Sequence, residues 1–156
     1  MKPFELAQSL KFYGDPSLRT IAFPISVVTD ETSLLIEEMS RLMVAFGAVG
    51  LAANQVGVLK RVIVIDEGLS KQSNAHKILA LINPEIIHFG DENKSEGEGC
   101  LSLPGIWKSI TRSVRITVKY LDFTGTPQVI DVEGFKARVI QHEVDHLNGI
   151  LILDRG

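Results

Sequence analysis

The stretch from Glu133 to Asn148 constrains the fold more than any other part of the chain. Phe135, Val139, His142 and His146 fall on one helical stripe and Ile140, Val144 and Leu147 on another, and Gly149 ends the pattern. A helix apolar on two sides has to be buried, so the rest of the chain must supply walls for it. Arg61–Ile65 and Ile78–Ile82 are short β-branched or apolar runs, and Asn83-Pro84 predicts a break before a further strand over Glu85–Phe89. Val114, Ile116, Val118 and Tyr120 alternate with Arg115, Thr117 and Lys119, the period of a half-buried strand. Asp122–Gly125 then turns the chain towards Val129–Val132, which makes a hairpin. Nearer the start, Leu35, Met39, Leu42, Met43 and Phe46 form one stripe of an amphipathic helix, with Thr29 or Asp30 capping its start and Gly47 its end. Strands and helices without regular βαβ alternation predict an α+β fold, mostly antiparallel sheets around a central buried helix plus an N-terminal amphipathic helix.

Nothing in the sequence divides the chain: there is no internal repeat, low-complexity tract or linker, so residues 1–156 are expected to form a single catalytic domain. A chain of this length buries about 68–70% of its unfolded surface, and 45% hydrophobic residues suffice for that. The formal charge of −3 gives no electrostatic reason to expect nucleic acid. No apolar run reaches the ~18–20 residues of a membrane span, and Met1–Leu6 does not read as a secretory signal. Cys100 is the only cysteine, so no disulfide forms within the chain and a reducing compartment fits.

Chemistry concentrates on the buried helix. His142-Glu143-Val144-Asp145-His146 is H-E-x-x-H. At ~100° per residue the two imidazoles lie ~40° apart, one turn along the axis, where they can hold one metal ion together. Glu143 and Asp145 flank this pair at equal angles, so spacing does not choose between them. The longer side chain and the known chemistry of the motif favour Glu143 as general base, with Asp145 an orienting or salt-bridge partner. The plain alternative is two buried, hydrogen-bonded histidines. A divalent ion needs a third ligand, and the ten residues after His146 contain neither His nor Glu. Cys100, in Glu98-Gly99-Cys100-Leu101-Ser102, is the natural candidate. It could instead be a small buried hydrophobe, or a nucleophile paired with His142 or His146. His76 and His88 are singletons in polar or strand-end surroundings, expected to be exposed.

Three separated motifs carry a specific resemblance. Ala48-Val49-Gly50-Leu51-Ala52-Ala53-Asn54-Gln55, Glu98-Gly99-Cys100-Leu101-Ser102 and Gln141-His142-Glu143-Val144-Asp145-His146 are similar, in order, to the three motifs of the peptide deformylase family. Asp15-Pro16-Ser17-Leu18-Arg19, Ile82-Asn83-Pro84-Glu85 and Leu147-Asn148-Gly149 extend the likeness over nearly the whole chain. The resemblance implies a metal-dependent hydrolase that releases formate from the N-formyl-methionine of nascent polypeptides. Cys100, His142 and His146 would bind one divalent ion, physiologically Fe2+, with Zn2+, Ni2+ or Co2+ also able to occupy the site. A metal-bound water would attack the formyl carbon with Glu143 as base and then acid. Gln55 and the Leu101 backbone N–H would stabilise the formyl oxygen, and Val49, Gly50, Leu101, Phe135 and Val139 would form the methionine pocket, with Gly50 admitting the substrate main chain. Other functions within reach are a metallo-amidase for another N-acyl substrate and a non-enzymatic metal-binding relative. A cysteine hydrolase is weaker.

The family likeness further implies a monomer acting on N-formyl-methionyl peptides in the cytoplasm, of bacterial or phage type, although a mature organellar form would look the same. Two positions depart from the pattern. Ala48 stands where the family has a glycine, and strains the chain if that position needs a positive φ. Trp107 stands where many relatives carry Arg or Tyr, at the edge of the expected cleft. Bacterial relatives often continue into a helix associated with docking at the ribosomal exit, so ribosome association is expected to be weakened by the short stretch after His146.

Overall fold

The computed structural model describes residues 10–68, 76–95 and 97–155. Its framework is a five-stranded antiparallel sheet in the order β1 (Gly50–Ala52), β2 (Val62–Asp66), β3 (Ile78–Phe89), β8 (Arg115–Leu121), β9 (Pro127–Glu133). Two small antiparallel pairs complete it: β4 (Glu92–Lys94) with β7 (Thr111–Ser113), and β5 (Glu98–Cys100) with β6 (Leu103–Lys108). Helix α1 spans Asp30–Ala45 and α2 spans Gly134–Leu147. No helix among the described residues is long and apolar enough to cross a membrane.

The sheet is covered on both faces, which is why β2 reads as an unbroken apolar run. Ile63 and Ile65 pack with Val139, Ile140, Val144 and Leu147 of α2 in one core cluster. Val62 and Val64 point the other way, into a second cluster with Leu35, Met39, Leu42 and Met43 of α1. A third cluster joins Leu18, Leu103 and Ile110 to Leu151 and Ile152, in the segment that follows α2.

α1 begins where the Thr29 backbone N–H donates to Thr32 Oγ1 at 3.2 Å, with Asp30 and Glu31 set favourably at the positive end of the helix dipole. It ends in paired bonds, Gly47 N–H to Val44 O and Ala48 N–H to Met43 O, both 3.0 Å. In this arrangement the left-handed residue is Gly47, at φ +66°, so the glycine requirement falls one position before Ala48. Ala48 is not in the left-handed region and packs, partly buried, against the α1 cluster.

The predicted break at Asn83-Pro84 does not interrupt the strand. β3 runs straight through, absorbing the irregularity as a register shift against β8 between Ile82 and Glu85. Asn83 adopts φ +52°, and its side chain is fixed by accepting from Ile25 N–H and donating to Ile25 O, each at 2.8 Å. Asn83→Ala is expected to lose both bonds and strain the left-handed backbone, costing about 3 kcal/mol in urea unfolding; Asn83→Gly, which relieves the strain, should cost about 2 kcal/mol. Equal stability of the alanine variant and the unsubstituted protein would show that the bulge does not depend on this side chain.

Candidate metal centre

Three distant parts of the chain meet at the centre. α2 supplies His142, Glu143 and His146; β5 supplies Glu98 and Cys100; and the 3-10 turn Ala53–Val56, directly after β1, supplies Gln55. Cys100 Sγ lies 3.3 Å from His146 Nε2, which lies 3.2 Å from His142 Nε2. All three potential ligand atoms are within 4.8 Å of one another. Metal–nitrogen bonds of ~2.0–2.1 Å and a metal–sulfur bond of ~2.3 Å at tetrahedral angles demand edges of ~3.3–3.6 Å. Two of the three edges are therefore already close to that length, and a thiol with two imidazoles is a donor set suited to zinc or iron. The residues fit a bound ion.

Hydrogen bonds and charges from neighbouring elements orient the donor side chains. His142 Nδ1 is 2.6 Å from Glu98 Oε1, which fixes the ring and turns Nε2 towards Cys100 and His146. Burial works against charge on His142, but hydrogen bonds with Cys100 and Glu98 outweigh it and lift its pKa to about 10. His146 goes well below its ordinary value, through burial and the neighbouring positive charge of His142. Burial also disfavours charge on Glu98, yet hydrogen bonds from His142 and Arg112 hold its pKa down at about 2. Arg112 is itself buried in β7, donating from Nε and Nη2 to Glu98 at 2.7–3.2 Å and from Nη1 to Asp145 Oδ2 at 2.9 Å.

Glu143 is 3% exposed, and its Oε2 has no hydrogen-bond partner among the described residues. Burial is the largest influence on its carboxyl and pushes the pKa up to about 7, with His142 opposing. Gln55 accepts from Ala52 N–H at 3.0 Å, which turns its amide nitrogen to Ser102 Oγ (3.1 Å) and Cys100 Sγ (3.6 Å). These groups stand at one side of a cleft of about 590 Å³ that is also lined by Val49, Gly50, Leu101, Phe135 and Val139.

The sequence-predicted site residues line this cleft, except His146, which is buried behind it in contact with Cys100 and His142, and two differ in detail. Phe135 is 56% exposed at the cleft, whereas its stripe position had suggested that it could also serve as core. Gly50 is required by the protein's own helix: a Cβ there would meet Val139 Cγ1 at 2.8 Å and Glu143 at 3.0 Å. Trp107 is 74% exposed and lines the cleft, with its ring lying against Gly99. His76 and His88 are both exposed, as expected, and His76 also pairs with Asp66 at 2.6 Å; neither belongs to the cluster. Sequence reasoning gave Glu98 no role beyond its motif and passed over Arg112 and Ser102. Only the motif around Cys100 marked Glu98 and Ser102, and Arg112 carries no local signal at all.

A family model described as polypeptide deformylase matches residues 7–156. The peptide deformylase of Treponema pallidum strain Nichols is 46% identical over 146 residues, 94% of this chain and 86% of the relative. That of Brachyspira hyodysenteriae is 44% identical over 151 residues, 96% of this chain and 81% of the relative. Among solved structures, the peptide deformylase from Thermotoga maritima superposes with a TM-score of 0.86 at 42% identity, covering 94% of this chain and 95% of its own. A probable peptide deformylase from Synechococcus phage S-SSM7 gives 0.87 at 35% identity, covering 94% and 98%.

Glu98→Gln keeps the shape at His142 but removes the charge that holds the ring and Arg112. It should weaken metal affinity about 10–100-fold in chelator competition. Unchanged affinity would remove Glu98 from any part in orienting the ligand.

Proposed function

The chain belongs to the peptide deformylase family, metal-dependent enzymes that remove the formyl group from nascent polypeptides, and from that premise we propose which of its residues carry the reaction. Cys100, His142 and His146 hold one divalent ion, Fe2+ in the cell, with Zn2+, Ni2+ or Co2+ as substitutes. Such an ion supplies Lewis acidity, polarising a carbonyl and making water acidic enough to lose a proton near neutral pH. Glu143 takes the proton from the attacking water as its oxygen adds to the formyl carbon. Negative charge develops on the formyl oxygen, where the Gln55 amide and the Leu101 backbone N–H donate, each worth about 3 kcal/mol at such a site. Glu143 then returns the proton to the amine nitrogen as the C–N bond breaks and formate leaves.

One observation supports this reading above the rest: a buried carboxylate oxygen without a hydrogen-bond partner among the described residues stands beside a Cys-His-His donor set at an apolar cleft. Val49, Gly50, Leu101, Phe135 and Val139 take the methionine side chain. The fixed orientation of Gln55 supports its role, because its oxygen is occupied by Ala52 and only its donor end is turned to the centre. The likeness to bacterial relatives supports action on formyl-methionyl peptides in the cytoplasm, where we take the chain to work as a monomer, and the family match over residues 7–156 supports one catalytic domain.

Protein loaded anaerobically with Fe2+ should release formate from a formyl-Met tripeptide, reject the acetyl analogue, and lose about 10²–10⁴-fold in kcat on Glu143→Ala with metal retained. No release from protein holding one metal ion per chain, or full activity in the variant, would overturn the assignment. Gly50→Ala should push Glu143 out of line and lower kcat about 10–100-fold without reducing metal content. Turnover within about twofold of the unsubstituted protein would show that the close approach of α2 to β1 does not set the position of Glu143.

A further inference from the structure

Behind the metal ligands the buried charges continue past Arg112. Asp145, on α2, is 8% exposed and makes no contact with a donor atom of the cluster; its carboxylate is divided between two arginines. Arg112 Nη1 donates to Oδ2 at 2.9 Å, while Arg155 donates from Nε to Oδ2 at 3.0 Å and from Nη2 to Oδ1 at 2.8 Å. Glu98, Arg112, Asp145 and Arg155 therefore form a row of alternating sign that ends on His142 Nδ1. Within this row Arg112 is shared, with two nitrogens on Glu98 and one on Asp145. The pull of Asp145 on Arg112 depends on how fully Arg155 satisfies it.

We infer that Arg155 is a positioning residue for the metal centre. By holding Asp145 through two bonds it leaves the Arg112 guanidinium to Glu98, and Glu98 in turn fixes the His142 ring. The inference rests on the assignment of Cys100, His142 and His146 as ligands. A role confined to pinning down the segment after α2 does not account for this geometry, because that segment has anchors of its own. Leu151 and Ile152 are buried in the third core cluster, Asp154 pairs with Arg19 and accepts from Leu151 N–H at 2.9 Å, and Ile150 N–H donates to Asp145 O at 2.9 Å.

The test uses Co2+-loaded protein and three variants: Arg155→Ala, Arg155→Lys and, as a control that cuts a neighbouring anchor without touching Asp145, Asp154→Asn. Loss of Co2+ to excess EDTA and the visible absorption of bound Co2+ are followed, with thermal unfolding alongside. Arg155→Ala should lose Co2+ about 3–10-fold faster and shift the visible bands, a smaller effect than the 10–100-fold expected when a ligand's direct partner is removed. Arg155→Lys should recover at least half of the change, and Asp154→Asn should match the unsubstituted protein in both readouts. Identical rate and spectrum in Arg155→Ala, or an equal change in Asp154→Asn, would overturn the inference while leaving the ligand assignment intact. Failure of the unsubstituted protein to take up Co2+ would overturn the ligand assignment, and the inference with it.

Discussion

Residues 139–147 of α2 are buried without a break and cannot leave their polar side chains to water, and five of them are polar and at most 9% exposed: Gln141, His142, Glu143, Asp145 and His146. An unsatisfied buried polar group costs roughly 1–3 kcal/mol, and an unpaired charge more. The surrounding chain is arranged to meet that demand. Gln141 exchanges two bonds with the Ser113 backbone, in the manner of an extra strand. His142 takes Glu98 from β5, and Asp145 takes Arg112 from β7 and Arg155 from beyond the helix. Of these five side chains, the atoms left without a partner among the described residues are Glu143 Oε2 and His146 Nδ1, the latter on the side of its ring turned away from Cys100 and His142. Glu143 is thus the part of the polar stripe that the fold leaves open where α2 meets the cleft.

Much of this was legible in the sequence where the determinants are local. α1 and α2 follow from periodicity, and the β8–β9 hairpin from the turn at Asp122, whose side chain accepts from Thr124 N–H and Thr126 N–H. The metal centre was legible for a different reason: three short motifs each bring a reactive residue, and the resemblance joins them across more than forty intervening positions. What depended on a partner far along the chain was not legible. Asn83-Pro84 looks like a stop because proline lacks a donor, and only the bond from Asn83 to Ile25, 58 residues away, shows why the strand continues. Gly50 could be seen to permit close approach, but whether to substrate or to Glu143 depends on where α2 lies. Arg112 sits between Thr111 and Ser113 without any pattern that marks a buried cation.

The buried charges raise the question of what they contribute. Ion pairs taken out of water are a weak source of stability, since desolvation offsets much of the attraction. Their value lies in direction. An apolar neighbour would let the His142 ring rotate, whereas a carboxylate held by two guanidinium nitrogens fixes the ring plane and the nitrogen that faces His146.

Opposite flanks of one helix therefore do different work. On the side of β1, the absence of a side chain at Gly50 lets α2 come close enough that Val139 and Glu143 are in near contact with the strand, and this sets how far Glu143 reaches into the cleft. On the side of β5 and β7, charge pairs set how the helix is rotated about its axis, because Asp145 and His142 are held at separate points along it. Distance is governed by packing, which resists compression steeply, and orientation by hydrogen bonds, which are directional. The carboxylate proposed as the base and the two histidines proposed as ligands stand within five consecutive residues and need both constraints, since a shift that improved one would displace the others.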